Sequence, residues 1–166
     1  MENDLIDNKN LAQLADHMLK NKLTLAVAES CTAGLIQNVI SQADNAMGFF
    51  QGGITAYNSA QKAIHLQVNP IAAEACNAVS KEIAEQMALA VASGFNAELG
   101  AAITGYARKV PEEGIDSCFA YIAIAAHGKV VLSKKITGKS GEDLAENQKI
   151  YTKKMLDYLY SVVRKG

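Results

Sequence analysis

The sequence predicts an α/β fold: a three-layer α/β/α sandwich on a mixed, mostly parallel sheet that carries one antiparallel hairpin strand. Two observations predict this class. Short apolar runs alternate with segments whose apolar residues recur every three or four positions, which is typical of strands joined by crossover helices. The last two apolar runs are separated by residues 127–129 alone, and so short a link joins antiparallel neighbours.

The composition indicates one folded domain. Of the 166 residues, 49% are hydrophobic and 20% are charged, proportions typical of a domain with an ordinary core. No repeat, linker or low-complexity tract divides the chain. We therefore expect a single domain over residues 1–166.

The first half of the chain predicts three helices and two strands. Asn8 is positioned to cap the first helix, and a strand follows over about residues 24–28. After a turn at Ser30 comes a second helix, and Gly48 begins the link to a strand over about residues 53–57. A third helix is predicted over residues 58–66. The inward faces of the first two helices are predicted to be formed by Leu11, Leu14, Ala15 and Met18, and by Leu35, Ile36, Val39 and Ile40.

The second half predicts the remaining elements. Pro70 can open a short helix, and Ser80 can cap a longer one that ends near Gly94. A strand over residues 99–103 leads into an irregular loop over residues 106–116, and the hairpin strands follow over residues 118–126 and 130–136. The inward faces of the two long helices are predicted to be Ile83, Met87, Ala90 and Val91, and Leu144, Tyr151, Met155, Leu159 and Val162.

Charge and hydropathy argue against several classes of function. Sixteen basic residues face seventeen acidic ones, and only Arg108 and Arg164 are arginines, so no basic stripe indicates a nucleic-acid partner. The first residues are polar and acidic, and no apolar run approaches the roughly 20 residues of a membrane span. We expect a cytoplasmic protein without a membrane partner.

The cysteines and histidines do not indicate a metal site or a disulfide framework. None of them has metal-ligand spacing, and no CxxC pair is present. We therefore expect no metal and no cofactor. The residues concerned are Cys31, Cys76, Cys118, His17, His65 and His127.

Polar residues follow three predicted strands at the point where each strand ends. Ser30 and Thr32 follow the first, the segment from Tyr57 to Lys62 follows the second, and Thr104 with Gly105 follows the third. The carboxyl ends of parallel strands meet at one edge of a sheet, where α/β proteins usually bind ligands. Free N–H groups in the first turn of the helix after Ser30 are expected to bind an anion or an oxyanion there.

Serine is a weak nucleophile without a base, and Lys62 is the base that the sequence offers. No histidine follows any of these three strands, whereas Lys62 lies in the predicted first turn of the third helix. Its pKa would have to fall from about 10.4 to about 7–8, at about 1.4 kcal/mol per unit. A helix terminus supplies only about 0.3–1 kcal/mol, so burial must dominate. We expect Lys62 to be buried if it is catalytic.

Each candidate also has an ordinary structural explanation. Ser30 can serve only as a helix cap, Lys62 as a solvated charge, and Tyr57 as a half-buried strand residue. Cys31 fits either a thiolate nucleophile or a small packing thiol. Glu29 could orient a base or pair with a neighbour. Residues 104–105 could simply turn the chain.

Four segments in this order resemble the CinA C-terminal domain family: AESCTAG at residues 28–34, GITAYNSAQK at 53–62, AVS at 78–80 and ITG at 103–105. The resemblance covers about residues 9–162. The family includes nicotinamide mononucleotide amidohydrolases, which release ammonia and leave nicotinic acid mononucleotide. It implies a small-molecule nucleotide substrate and a homodimer. It maps Ser30 to the nucleophile and Tyr57 and Lys62 to proton-transfer partners.

The same resemblance implies a set of substrate-binding residues: Glu29, Cys31, Thr32, Gly34, Thr104, Gly105 and Arg108. Backbone N–H groups near Cys31 and Thr32 are expected to face the oxyanion. Arg108 or Lys109 could contact a phosphate, or both could be solvated surface charges.

The chain departs from the family in three places. The glycine-rich TGIAGP loop of the family is replaced by TGYARKVPEEG at residues 104–114, and Ala33 precedes Gly34. The GDR-like turn reads GKSGED at residues 138–143, where Lys139 lacks the bidentate fork of an arginine. Two functions remain open: an amidohydrolase acting on nicotinamide mononucleotide or a related amide, and a catalytically silent paralogue that binds a nucleotide or a protein.

Overall fold

The computed structural model describes residues 8–141 and 143–166. Its elements follow the predicted alternation of helices and strands. In chain order they are α1 (Asn8–Lys20), β1 (Leu25–Glu29), α2 (Leu35–Ile40), β2 (Phe50–Thr55), α3 (Ser59–Leu66), α4 (Pro70–Ala75), α5 (Lys81–Gly94), β3 (Leu99–Tyr106), β4 (Phe119–Ala126), β5 (Lys129–Thr137) and α6 (Leu144–Val163).

The strands form one mixed sheet in the order β2-β1-β3-β4-β5. β1 pairs in parallel with both β2 and β3, while β4 pairs antiparallel with β3 and with β5. Only β4 therefore runs against the direction of the other four strands. The predicted fold class is confirmed: crossover connections make the first three strands parallel, the loop after β3 reverses β4, and the short hairpin returns β5 to the common direction.

Helices cover both faces of the sheet. Side chains alternate along β1, so Leu25 and Val27 pack with α1, α2 and α6, whereas Ala26 and Ala28 pack with α3, α4 and α5. The second face carries small residues, and α5 lies very close to it. A Cβ at Gly100 would lie 2.1 Å from the carbonyl oxygen of Ala88, so only glycine fits there.

Several helix boundaries agree with the local sequence signals. Asn58 caps α3 by accepting a hydrogen bond from Gln61 N–H, and Ser80 caps α5 by accepting one from Ile83 N–H. Pro70 opens α4 and Gly94 ends α5, as predicted. α1 already includes Asn8, whose side chain lies outside the part of the chain that the structure describes.

Two strands, β2 and β3, differ from the prediction. β2 begins at Phe50 and ends at Thr55, so Tyr57 lies two residues beyond it rather than within it. β3 continues through Tyr106, because Gly105 and Tyr106 pair with β4. The suggestion that residues 104–105 turn the chain was therefore wrong: pairing with β4 keeps them extended.

The hairpin connection is shorter than predicted. It consists of His127 and Gly128, with φ values of 50° and 79°, and Lys129 already belongs to β5. Two successive positive φ values form the turn whose twist matches that of a β-hairpin. Among the described helices, none combines the length and the apolarity that a membrane crossing requires.

Candidate active site

A cavity of about 380 Å³ lies at the carboxyl edge of the parallel strands. Three segments that follow strands contribute to its wall: the turn after β1, the segment from the end of β2 into α3, and the end of β3. Seven predicted site residues line it: Ser30, Cys31, Tyr57, Lys62, Thr104, Gly105 and Arg108. The convergence that the sequence predicted from strand ends alone is therefore present.

Glu29, the last residue of β1, is fully buried and organises the turn that carries Ser30. Its carboxylate accepts hydrogen bonds from the N–H groups of Ile36 and Gln37, at 2.9 and 3.0 Å, and from the Thr32 hydroxyl at 2.6 Å. A charged acceptor at the start of a helix satisfies donors that would otherwise lack partners. Glu29 therefore caps α2 and holds Thr32.

The cap formed by Glu29 changes the expected anion site. The first-turn N–H groups of α2 were expected to be free, but Glu29 occupies those of Ile36 and Gln37. By contrast, no other residue within 8–141 and 143–166 accepts a hydrogen bond from the backbone N–H groups of Cys31 and Thr32, although both residues are buried. Unpaired buried N–H groups are rare in proteins, and these two lie beside Ser30.

Ser30 is only 5% exposed, and it is not a helix cap. The N-cap position of α2 is Gly34, which has a φ of 96°, and no side chain at that position bonds to the helix. The Ser30 hydroxyl has no hydrogen-bond partner among the described residues. The backbone carbonyl of Ser30 accepts from Ala33 N–H at 3.0 Å, which closes the turn.

Lys62 lies in the first turn of α3 and is only 3% exposed. Burial lowers the pKa of its amine below the ordinary value of 10.5, because the charged form loses its hydration. Within the described part of the chain, no carboxylate lies within ion-pairing distance of this amine and no acceptor receives a hydrogen bond from it. Lys62 is therefore the buried lysine that a general base requires.

Tyr57 lies at the rim of the same cavity and is 61% exposed. Its position is set by the end of β2 on one side and by the cap of α3 on the other, since Asn58 begins that helix. The interpretation of Tyr57 as a half-buried strand residue was therefore wrong, because the strand ends before it. An exposed rim position leaves its hydroxyl accessible to a bound molecule.

Cys31 lines the cavity as a neutral thiol. Burial raises its pKa to about 12, against a smaller opposing effect of the nearby Lys62 amine. At such a pKa the thiolate is a negligible fraction at neutral pH, and the thiolate is the reactive form of cysteine. Burial and the raised pKa favour the packing role of Cys31 over the nucleophile role.

The end of β3 forms one wall of the cavity. The Thr104 hydroxyl donates to the carbonyl of Ala78 at 2.6 Å, and Thr104 is fully buried. A Cβ at Gly105 would lie 2.4 Å from the Ala120 Cα of β4, so a side chain cannot fit between these strands. Thr104 therefore ties the wall to the segment before α5, and Gly105 allows the close strand approach.

The loop after β3 brings charges to the cavity. Arg108 is exposed and lines it, and a 3-10 turn over Pro111–Glu113 adds Glu112 and Glu113. The Glu113 carboxylate accepts a hydrogen bond from the Asn77 side chain at 3.3 Å. Among the described ion pairs, none joins Arg108 to either carboxylate. Lys109 is exposed but is not among the lining residues.

Helix α6 supports two walls from behind. The Gln148 side chain donates to the carbonyl of Cys31 at 2.9 Å, and the Tyr151 hydroxyl donates to the carbonyl of Tyr106 at 2.7 Å. Burial raises the pKa of Tyr151, which keeps this hydroxyl protonated. The ends of β1 and β3 are therefore both fastened to one helix.

Three predicted substrate-binding residues lie outside the lining set. Glu29 and Thr32 use their side chains on each other and on α2, and Gly34 supplies the left-handed backbone before that helix. A direct contact of these residues with substrate stays a prediction.

Several lining residues were not predicted from the sequence as residues of the site. They are Asn58, Asn77, Val79, Tyr106, Ala107, Val110, Glu112, Glu113 and Leu144. Asn77 illustrates the reason: it directly follows the C-cap of α4 with a φ of 52°, a conformation that asparagine favours, but only the tertiary fold brings that turn to the cavity. No group of three or more potential metal ligands lies together within residues 8–141 and 143–166.

Comparison with known proteins identifies relatives of this chain. The model of the family described as the CinA C-terminal domain matches residues 7–163. A CinA-like protein of Nostoc sp. is 35% identical over 134 residues, which cover 78% of this chain and 31% of the relative. A putative competence-damage inducible protein of Halothermothrix orenii is 34% identical over 148 residues, covering 87% and 35%. The chain thus spans about a third of the length of these relatives.

Solved structures show the same fold. A CinA superfamily protein from Enterobacter cloacae superposes with a TM-score of 0.87 at 23% identity, covering 98% of this chain and 95% of that one. A competence/damage inducible protein from Agrobacterium tumefaciens gives a TM-score of 0.80 at 22% identity, covering 92% and 95%.

Proposed function

The chain belongs to the CinA C-terminal domain family, and on that premise we propose that it is an amidohydrolase that releases ammonia from nicotinamide mononucleotide or a related pyridine carboxamide. The observation that carries the proposal is the buried amine of Lys62, which shares a cavity with the Ser30 hydroxyl. A lysine amine kept from water and from carboxylates is suited to accept a proton from serine.

The proposed first half-reaction uses these groups in sequence. The Ser30 Oγ attacks the carboxamide carbon while the neutral Lys62 amine takes the hydroxyl proton. The negative charge that develops on the carbonyl oxygen faces the unpaired N–H groups of Cys31 and Thr32. Protonated Lys62 then donates its proton to the departing nitrogen, so ammonia leaves and an acyl ester remains on Ser30.

In the second half-reaction, Lys62 takes a proton from water and the resulting hydroxide attacks the ester. The ester bond to Ser30 breaks, Ser30 regains a proton from Lys62, and a carboxylic acid is released. Tyr57, exposed at the rim, holds or relays the proton beside Lys62 in this scheme. The net reaction consumes one water and converts a carboxamide into a carboxylic acid and ammonia.

The cellular setting is proposed from the same premise. We propose a homodimer, the state that the family resemblance implies, and a cytoplasmic location, which was expected from the polar first residues. Sedimentation equilibrium should then give about twice the 17.7 kDa of one chain. A single-chain mass at micromolar concentration would contradict the dimer without touching the catalytic proposal.

The experiment that tests the function is ammonia release from a panel of pyridine carboxamides. Ser30→Ala and Lys62→Ala should each lower release by about a thousandfold or more, since each removes one half of a coupled pair. Half-buried Ser161→Ala, near the end of α6 and outside the cavity lining, is the serine control, and exposed Lys153→Ala is the lysine control; both should retain full release. Undiminished release by Ser30→Ala would remove Ser30 from the nucleophile role.

The silent-paralogue alternative has its own outcome in this assay. It predicts no release from any amide, together with calorimetric binding of a nucleotide by the unmodified chain. The rewritten loop after β3 is the observation that favours it, because that loop changes the cavity wall while Ser30, Tyr57 and Lys62 are kept.

A further inference from the structure

We infer that the cavity selects a ribosylated pyridine carboxamide without a phosphate, that is, a cationic nucleoside amide rather than a nucleotide. This inference rests on the proposed amidohydrolase function and specifies its substrate class. It follows from the charged groups that line the cavity and from the lining carboxylates, which form no ion pair among the described residues.

Two carboxylates and one arginine line the cavity from the segment after β3. Glu112 and Glu113 line the cavity from the 3-10 turn, and Arg108 is the one arginine among the described lining residues. The other basic lining group is Lys62, which the proposed mechanism uses as the neutral amine. With Lys62 neutral, the ionisable lining groups sum to a negative charge, which repels a phosphate dianion.

The carboxylates are not neutralised from within the protein. No described ion pair involves Glu112, Glu113 or Arg108, and Glu113 contacts only the neutral amide of Asn77 among the described hydrogen bonds. Lys139, which stands in the turn where the sequence lacks an arginine, is exposed and is not among the lining residues. A phosphate would therefore meet more acidic than basic groups.

The same lining suits a cation that carries hydroxyl groups. Carboxylates accept hydrogen bonds from ribose hydroxyls and attract a positively charged ring. Tyr57 and Tyr106 also line the cavity, and aromatic faces attract cations. An N-ribosyl pyridinium carboxamide offers the ring charge, the hydroxyls and the amide in one molecule, and a cavity of about 380 Å³ is within the usual range for small ligands.

The test measures binding to the Ser30→Ala chain, in which the amide is not consumed. We expect nicotinamide riboside to bind at least tenfold more tightly than nicotinamide mononucleotide in calorimetry at low salt, with the difference shrinking at high salt. Equal binding, tighter binding of the mononucleotide, or binding of neither molecule would overturn the inference.

Charge-removing variants identify the groups responsible. Glu112→Gln combined with Glu113→Gln should reduce the preference to less than threefold by strengthening mononucleotide binding. The control pair Asp16→Asn and Asp44→Asn removes two carboxylates that do not line this cavity and should leave the tenfold preference intact. Survival of the preference in the glutamine pair would overturn the assignment to the 3-10 turn.

A separate variant tests the competing role of arginine. If Arg108→Gln weakens mononucleotide binding tenfold and leaves riboside binding unchanged, Arg108 holds a phosphate and the inference is wrong. We expect it instead to widen the preference for the riboside at both ends, because loss of this positive charge strengthens binding of the cation and weakens binding of the anion. The proposed function fails independently if the unmodified chain releases ammonia from neither molecule, whatever their order of binding.

Discussion

Lys62 is a lysine at a buried position, where water hydrates its amine poorly. No counter-ion lies near that amine among the described residues. Such a residue costs stability, because the unfolded chain solvates the ammonium and the folded chain does not. Residues that are poorly placed for stability but well placed for chemistry are typical of functional sites. The burial of Lys62 therefore lowers the stability of the folded protein but suits the proposed reaction.

Replacing Lys62 with methionine should stabilise the protein at neutral pH by about 1 kcal/mol while abolishing ammonia release. The folded-state pKa is lowered, so between that pKa and 10.5 the unfolded state binds more protons and wild-type stability rises with pH. The advantage of Lys62→Met should therefore shrink as pH rises through this window. Urea unfolding at several pH values measures it, with exposed Lys153→Met as control.

The pH dependence of ammonia release should follow the same group. Neutral Lys62 is the active form in the proposed mechanism, so kcat/KM should rise with pH and level off above a pKa lower than 10.5. A rate that falls with pH over the same range would mean that the charged amine is required, and Lys62 would then be an electrostatic group rather than a base.

At the scale of elements, short contacts at strand ends hold the cavity together. Glu29 joins β1 to α2, and Thr104 joins β3 to the segment before α5. Tyr151 joins α6 to the end of β3. These hydrogen bonds fix the backbone from which Ser30 and the residues after β3 project. Their loss should therefore displace the site residues without removing any group that takes part in the proposed reaction.

Glu29→Gln should destabilise the protein by about 1–3 kcal/mol. The glutamine amide keeps one acceptor oxygen, but its NH2 group replaces the other carboxylate oxygen. A backbone N–H that donates to that oxygen in the wild type would then face another donor. Urea midpoints measure the loss, and exposed Glu74→Gln on α4 should change them by less than about 0.5 kcal/mol. A midpoint unchanged in Glu29→Gln would show that the α2 cap contributes little.

Gly105→Ala should destabilise the contact between β3 and β4. The added Cβ would lie 2.4 Å from the backbone of Ala120 and of Phe119, and backbone atoms in a paired strand cannot move aside cheaply. We expect a loss of about 2 kcal/mol or more by thermal unfolding. Gly94→Ala meets no atom within 4 Å and is the matched control, expected to be neutral or slightly stabilising.

At the scale of the whole molecule, two helical layers share one sheet. β1 and β3 send alternate side chains to both cores, so neither core can form without the central strands. The cavity lies at an edge where both layers contribute: α3 supplies Lys62 from one side, and α6 braces the ends of β1 and β3 from the other. The proposed site therefore depends on both cores.

Unfolding should accordingly be one cooperative transition. Leu14→Ala removes a buried side chain from the core with α1, and Ile83→Ala removes one from the core with α5. Each should lower the free energy of unfolding by about 2–5 kcal/mol and shift the whole transition. Coincident far-UV circular dichroism and tyrosine fluorescence measure this. A biphasic curve in either variant would show that the layers unfold separately.

The sequence by itself determined the fold class, the order of the elements, the Ser80 cap of α5 and the convergence of Ser30, Tyr57 and Lys62. Those features depend on local periodicity, on side-chain caps and on the rule that parallel strands end at one edge, all of which act over a few residues or through simple topology.

Only the tertiary structure decided how each group is used. Pairing with β4 extended β3 through Tyr106, the Glu29 carboxylate took the N–H groups that an anion was expected to bind, and the 3-10 turn brought Glu112 and Glu113 to the cavity. Burial, which lowers the pKa of Lys62 and raises that of Cys31, results from packing by several elements at once. Distances and desolvation arise between residues far apart in the chain, so no local pattern could report them.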